Sequence, residues 1–348
     1  MMAPIKTAIL SFGMSGKLFH APFLSAHPGF QLMGAWERSK KLIQEIYPQT
    51  ISYPSLESIL DDDSLDLVVV NTPNNTHYGY AKKALLAGKH LIVEKAFTTT
   101  VAEAVELKLL AEKKGKKISV YQNRRWDSDF KTVRKIIQSQ VLGRLVEAEF
   151  YFDRYKPMIG VKQHKETPGP GAGLLNDLGP HLIDESLCLF GMPEAVFADI
   201  RITREHSLVD DWFDIVLYYP SLRVRLKSSM LAREPRTAYI LHGDKGSFFK
   251  SRADIQEADL IAGKVPNSDN WGIEPTSENG LLHTEKDGLV IREKIKTEQG
   301  NYYGFFDEVY KAITQDTAMP VTADDGINVM RLLDAATKSN EEKRLIAL

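Results

Sequence analysis

The stretch ILSFGMSGKLFHAPFL, Ile9 to Leu24, decides the fold. Its small residues Ser11, Gly13 and Gly16 stand at the spacing of the dinucleotide-binding turn G-x-G-x-x-G, with serine in the first place. A β-rich run precedes it and a helical pattern follows. In that context such a turn presents backbone N–H groups to a pyrophosphate at the positive end of a helix. Ser11, Phe12, Gly13, Met14, Ser15 and Gly16 are therefore candidate cofactor contacts. The first glycine of the motif ordinarily permits a tight turn. Serine there needs a tolerable backbone angle, or a hydroxyl that itself contacts the pyrophosphate. A plain tight turn with no ligand is the alternative reading of the glycines.

Working outward, short β-rich runs alternate with helical patterns over the first 120 or so residues. KTAIL (Lys6 to Leu10), FQLMGAW (Phe30 to Trp36), LDLVVVNT (Leu65 to Thr72), KHLIVEK (Lys89 to Lys95) and KKISVY (Lys116 to Tyr121) read as strands. Several are continuous apolar runs, as strands covered on both faces of a parallel sheet require. Between them, HYGYAKKALLAG and TTTVAEAVELKLLAEKKG read as helices stopped by Gly88 and Gly115. This βα alternation predicts an α/β fold with a doubly wound parallel Rossmann sheet, which binds ligands at its strand C-termini. From about Asn123 the pattern changes to longer alternating strands, RLVEAEFYFDRY, AVFADIRITREH, DWFDIVLYY and LRVRLKSSML, with few helices. That predicts a second, largely antiparallel sheet with one face toward helices and the other toward solvent or a partner subunit. Residues 1–122 are expected to form the NAD(P)-binding Rossmann domain, and residues 123–348 a substrate-binding and oligomerisation domain.

Charge and composition exclude other classes. With 44 Lys+Arg against 46 Asp+Glu, the chain lacks the basic footprint of a nucleic-acid or membrane-surface binder, so a small molecule is the expected partner. The N-terminus does not follow a signal-peptide pattern, and no run reaches the roughly 18 apolar residues of a spanning helix. A single cysteine, Cys188, cannot form an internal disulfide, which fits a reducing compartment. A cytoplasmic protein is expected.

Cofactor choice is written at the end of the second strand. Glu37 stands where a carboxylate accepts ribose hydroxyls. Arg38 and Ser39 beside it suit a 2′-phosphate, which Glu37 would repel. The reading is NAD or NADP, with a slight lean to NADP.

Four further segments, FHAPFL, NTPNNTHYGYAKKALLAGKHLIVEKAF, YQNRRWDSDF and GPGAGLLNDLGPHLIDESLCLFG, make the chain resemble the glucose–fructose oxidoreductase and inositol dehydrogenase family, Gfo/Idh/MocA. The motifs run from Thr7 to about Gly191 and continue more weakly to the C-terminal helices. The resemblance implies a Rossmann domain joined to an α/β domain whose open sheet often forms the oligomer interface, in a homodimer or homotetramer. It also implies an NAD(P)-dependent dehydrogenase or reductase acting on CH–OH groups of sugars, cyclitols and related compounds. The family's E-K-P motif appears as Glu94-Lys95-Ala96, so the lysine carries over and the proline, often cis in the family, does not. Its D-x-x-x-H motif matches Asp177 and His181. Thr72, Pro73, Asn74, His77 and Glu94 match cofactor-lining positions, and Asn123 the polar residue near the nicotinamide.

The residues themselves suit this chemistry. Asp177 and His181 lie four apart around the start of an expected helix, with Pro180 in a tolerated first-turn position, so both side chains can face one cleft. Near a helix N-terminus the cationic form of histidine is disfavoured, which suits a general base. Lys95 leaves the C-terminal end of a strand, near the expected nicotinamide, where its ammonium can donate to an oxygen gaining negative charge. His181, Glu185 and Cys188 fit no strong zinc spacing, and no metal is expected. Arg154, Tyr155, His164 and Lys165 flank a Gly/Pro-rich loop and are candidates for gripping substrate hydroxyls. Here His164-Lys165-Glu166 replaces the W-R-E of many family members. Two other readings stay open: an NAD-dependent glycosidase or lyase of the same fold, and a non-catalytic NAD(P)-binding sensor.

Overall fold

The computed structural model describes residues 3–37, 40–160 and 163–348. The chain divides into two compact units: residues 1–123, 256–271 and 301–327 in the first, and 124–255, 272–300 and 328–348 in the second.

The first unit holds a six-stranded, all-parallel sheet: β1 (Ile5–Ile9), β2 (Phe30–Trp36), β3 (Ile51–Tyr53), β4 (Leu67–Val70), β5 (His90–Val93) and β6 (Ile118–Val120). Their order is β3-β2-β1-β4-β5-β6, the doubly wound arrangement. The order reverses between β1 and β4, and the crevice at the strand ends there is the place for a ligand. All four residues of β4 are fully buried, so its continuous apolar run has both faces covered. The connecting helices are α1 (Ala21–Ala26), α2 (Leu42–Ile46), α3 (Leu56–Leu60), α4 (His77–Leu86) and α5 (Val101–Lys114). Thr100 and Glu103 form a reciprocal capping box at the start of α5, and left-handed Gly115 ends it.

Two later segments return to this unit for an aromatic reason. The helix Tyr302–Thr314 stacks Phe306 on Phe23 at 5.2 Å, and Trp271 meets Phe23 edge-on at 6.2 Å. A single boundary at 122/123 does not describe these returns.

The second unit is built on a nine-stranded sheet of β7 (Leu145–Tyr151), β8 (Ala195–Arg201), β9 (Trp212–Tyr218), β10 (Arg223–Ser229), β11 (Tyr239–Gly243), β12 (Gly246–Lys250), β13 (Gly280–Lys286), β14 (Leu289–Ile295) and β15 (Ile346–Ala347). The order is β14-β13-β12-β11-β7-β10-β9-β8-β15, and only β7 and β10 pair in parallel. Its helices include α6 (Ser128–Gln138), α7 (Gln163–Glu166) and the long α8 (Gly173–Phe190), which packs on β9 and β10. Inward-facing Phe213, Ile215, Leu217, Val224 and Leu226 are buried.

The opposite face of these strands is charged and aromatic rather than apolar. Asp214 pairs with Arg225 and Lys227, Arg223 lies over Tyr218 at 4.5 Å, and Lys227 over Trp212 at 4.9 Å. Cations stacked on aromatic rings make this face mixed rather than greasy.

Candidate active site

The turn after β1 shows what the serine does. The Ser11 Oγ accepts the Gly13 N–H at 3.3 Å, and the Ser11 carbonyl accepts the Asn71 amide at 2.7 Å. Neither Ser11, Gly13 nor Gly16 adopts a positive φ, so the turn does not demand glycine in its first place. Gly16 is needed for a different reason: a Cβ there would come within 2.1 Å of the Ser11 carbonyl oxygen. A Cβ on Gly13 would meet only Ser11 Oγ, at 3.4 Å, so the protein itself leaves room above this residue. The chain is helical from Met14 to Ala26, which aims a helix N-terminus at that space.

The space opens into a cleft of about 340 Å³ at the topological switch point. Ser11, Phe12, Gly13, Glu37, Thr72 and Pro73, all expected as cofactor contacts, line it. Trp36, Lys40, Thr76 and Tyr80 also line it and were not singled out by sequence. Trp36 and Tyr80 meet edge-to-face at 5.7 Å. Backbone donors, apolar and aromatic walls and a cation suit a dinucleotide. Glu37 has other partners within the protein. Its carboxylate accepts the N–H groups of Leu42 at 2.9 Å and Ile43 at 3.2 Å, and the Ser52 hydroxyl at 3.2 Å, so it caps α2. Arg38 and Ser39 lie outside the described residues.

The loops after β4 and β5 are tied together by His77. Its ring nitrogens lie 2.8 Å from the carbonyls of Thr72 and Ala96. Burial pushes this imidazole below its usual value, against the pull of the two carbonyls. His77 thereby fixes the loop that carries Lys95, which is half-buried; the Lys95–Ala96 peptide bond is cis. Glu94 sits beside it. Burial would raise the Glu94 carboxyl, but His20, Ser15 and Lys95 outweigh that and hold it at about 2. Asn74 opens a short 3-10 turn before α4, exposed Met14 begins the helix, and buried Asn123 starts another 3-10 turn.

In the second unit α8 begins earlier than expected. Left-handed Gly173 opens it, and Asp210 accepts the N–H of Leu174 through its carbonyl at 2.8 Å and that of Leu175 through its carboxylate at 2.6 Å. Burial pushes the Asp210 carboxyl up to about 6. Asp177 and His181 therefore lie in the helix interior, and Pro180 is an interior proline rather than a first-turn one. His181 therefore does not sit at a helix N-terminus. The shared face does apply, since residues four apart on an α-helix stand one above the other.

Two other expected residues, Lys165 and Arg154, meet this face or its surroundings. Lys165 Nζ pairs with Asp177 Oδ1 at 2.6 Å. The His181 ring, 6 % exposed, lies 6.3 Å from Phe152, and the Arg154 guanidinium lies over the same Phe152 at 5.2 Å. Tyr155 sits apart, bridged to Leu231 and stacked under Arg233. The side chain of His164 lies outside the described part.

Sequence reasoning missed the frame behind these groups. Arg204, 3 % exposed, joins Asp211 at 3.0 Å to Glu166 at 2.8 Å and also donates to the Met158 carbonyl, so the Gly/Pro loop presenting Lys165 is anchored. Arg125 makes a two-bond contact with Asp184, and Arg252 another with Glu185, whose partner Tyr239 is fully buried. The NRRWDSDF run held part of this signal, but its partners lie tens of residues away.

A glycine turn, a cleft at a Rossmann switch point and a second unit offering an Asp/His helix face define a dinucleotide-dependent oxidoreductase. Residues 5–122 match the family described as "Oxidoreductase family, NAD-binding Rossmann fold", and residues 134–348 its "C-terminal alpha/beta domain". The chain belongs to this Gfo/Idh/MocA oxidoreductase family and is an enzyme of the dehydrogenase class. It is 36% identical over 344 residues, 99% of this chain and 96% of the relative, to scyllo-inositol 2-dehydrogenase (NADP(+)) IolW of Bacillus subtilis strain 168. Among solved structures it is similar to an oxidoreductase of Bacteroides fragilis NCTC 9343, at 47% identity and a TM-score of 0.91, covering 99% of this chain and 100% of that one. It is likewise similar to the oxidoreductase YvaA of Bacillus subtilis, at 36% identity and a TM-score of 0.96, covering 99% of both chains. Among the described residues, no helix is long and apolar enough to cross a membrane.

Proposed function

We propose that this chain is a cytoplasmic dehydrogenase that transfers a hydride between a nicotinamide cofactor, NADP in preference to NAD, and a secondary alcohol or ketone of a sugar, inositol or related polyol. The observation that carries this reading is the α8 face, with Asp177 and His181 one turn apart and Asp177 paired with Lys165. The name of the NADP-linked inositol dehydrogenase relative supports the substrate class.

In this reading residues 1–122 hold the cofactor, which supplies hydride acceptance and donation at its nicotinamide ring when bound. Backbone groups of Ser11 to Gly16 face its phosphates, while Trp36, Thr72, Pro73 and Lys40 border the cleft that takes the adenosine end. Glu37, engaged with α2 and Ser52, offers fewer acceptor positions to ribose hydroxyls, and Lys40 supplies a cation for a 2′-phosphate. His181 takes the substrate hydroxyl proton during oxidation and returns it during reduction. Lys95 donates to the reacting oxygen as charge develops, and Asp177 orients the proton-transfer groups. Arg154 and Lys165 hold substrate hydroxyls. Residues 123–348 supply this substrate side and a sheet face through which copies associate as a dimer or tetramer.

The test is a panel of inositols, aldoses and keto-sugars with NAD and NADP, following the absorbance of reduced nicotinamide. Accumulation of the reduced form with a polyol, faster with NADP, is expected. Cleavage of a glycoside without net reduced cofactor would instead select the glycosidase reading, and cofactor binding with no turnover the sensor.

A further inference from the structure

Glu94 closes β5 with an unusual set of partners. Its Oε1 accepts both the Ser15 hydroxyl and His20 Nε2–H, the latter at 2.9 Å, while Oε2 accepts the Lys95 backbone N–H at 3.3 Å. Ser15 belongs to the dinucleotide turn and Lys95 to the loop after β5. One carboxylate therefore holds two elements separated by 79 residues.

The helix after the turn is deformed in a way that makes this possible. Gly16 to His20 is π-helical, with the Ala21 N–H donating to the Gly16 carbonyl. Five residues apart on an α-helix, Ser15 and His20 would point about 140° from each other. A π-turn, with more residues per turn, brings positions i and i+5 much closer together, and both side chains reach the same oxygen. His20 is fully buried, its ring 4.4 Å from that of Tyr121, and among the described residues its Nδ1 meets no hydrogen-bond partner. The ring is held by packing, and among the described residues its polar contact is with Glu94.

We propose that Glu94 is a positioning residue that locks the dinucleotide turn to the strand end carrying Lys95, so that cofactor affinity and placement of the lysine depend on one carboxylate. The part concerning Lys95 rests on the role given to it above. Glu94, expected from the family motif to line the cofactor, reaches it in this proposal also through Ser15.

The experiment is calorimetric titration of NADP into the full chain without substrate, for the wild type and the variants Glu94→Gln, Ser15→Ala, His20→Leu, His20→Gln and Lys95→Ala, each checked by thermal melting. Loss of a charge-assisted hydrogen bond predicts binding weakened by about 10-fold in Glu94→Gln and His20→Leu, and by a smaller factor in Ser15→Ala. His20→Gln, which keeps a side-chain N–H donor, should recover affinity to within about 3-fold of wild type. Wild-type affinity in Glu94→Gln or, should that variant not fold, in Ser15→Ala overturns the proposal. So does a His20→Gln variant as weak as His20→Leu, which would reduce His20 to packing. Lys95→Ala should bind NADP within about 2-fold of wild type, since it leaves the Glu94–Ser15–His20 contacts in place. Full turnover by that variant would overturn the role of Lys95 while leaving the tie between Glu94 and the turn intact.

Discussion

In the first unit the acids that shape the site accept backbone amides, hydroxyls and a histidine: Glu37 takes Leu42, Ile43 and Ser52, and Glu94 takes Ser15, His20 and Lys95 N–H. In the second unit, apart from Asp210 on the first N–H groups of α8, they meet full cations: Asp177 with Lys165, Glu166 and Asp211 with Arg204, Asp184 with Arg125, and Glu185 with Arg252. The contrast fits the roles proposed for the two units. A dinucleotide is gripped largely by main-chain donors, so its neighbours need only fix the backbone. Side chains that move a proton must be held at defined positions in a poorly solvated place, and paired charges do that where water is scarce.

The contrast can be broken first at Arg204. Replacing it by Met leaves Asp211, fully buried, and Glu166, 11 % exposed, without their cation. Removing one partner of a buried pair costs about 3–5 kcal/mol, and denaturant unfolding should show a loss of that size. A loss below about 1 kcal/mol would mean that these ions are solvated and the loop unpinned.

The corresponding probe in the first unit is acid. Glu94 lies at about 2 in the folded chain against an ordinary 4.5. Its contribution, about 3 kcal/mol, is then present above pH 4.5 and lost as the pH falls towards 2. The stability difference between wild type and Glu94→Gln should be constant above about pH 5 and shrink below it. A difference that ignores pH would show that Glu94 is not held as an anion.

Smaller effects separate chemistry from binding. Lys95→Ala should lower turnover by at least about 10²-fold, close to 2.7 kcal/mol. Lys40→Ala should weaken NADP by about 1 kcal/mol and leave NAD almost unchanged, as a single exposed cation would. Equal losses for both cofactors would place Lys40 on the adenine instead.

Much of the first unit was legible because its signals are local. The β1 turn, Glu37 at the end of β2, and the apolar runs of β4 and β5 lie within a few residues of what they specify. The three-residue β3, part-exposed, lacks the buried apolar run that marks the equally short β6. In the second unit, β11 and β12 escaped notice because they are only five residues each around the Asp244-Lys245 turn, and β14 because its consecutive Arg292-Glu293-Lys294 on an exposed edge breaks the apolar alternation. The start of α8 was misplaced because Pro180 resembles a first-turn proline, whereas the actual cap, Asp210, lies 35 residues from Leu175. Pairs such as Arg252 with Glu185, 67 residues apart, leave no local pattern to read.

In the proposed function the first unit binds the cofactor while the α8 face performs the proton transfer. The most direct test is His181→Asn, assayed for NADP affinity by titration and for turnover on the best substrate of the polyol panel. The predicted result is NADP affinity within about 2-fold of wild type, turnover reduced by about 10²-fold or more, and loss of the acidic limb of the pH–rate profile. Wild-type turnover with an unchanged pH profile would contradict the claim and assign the base elsewhere.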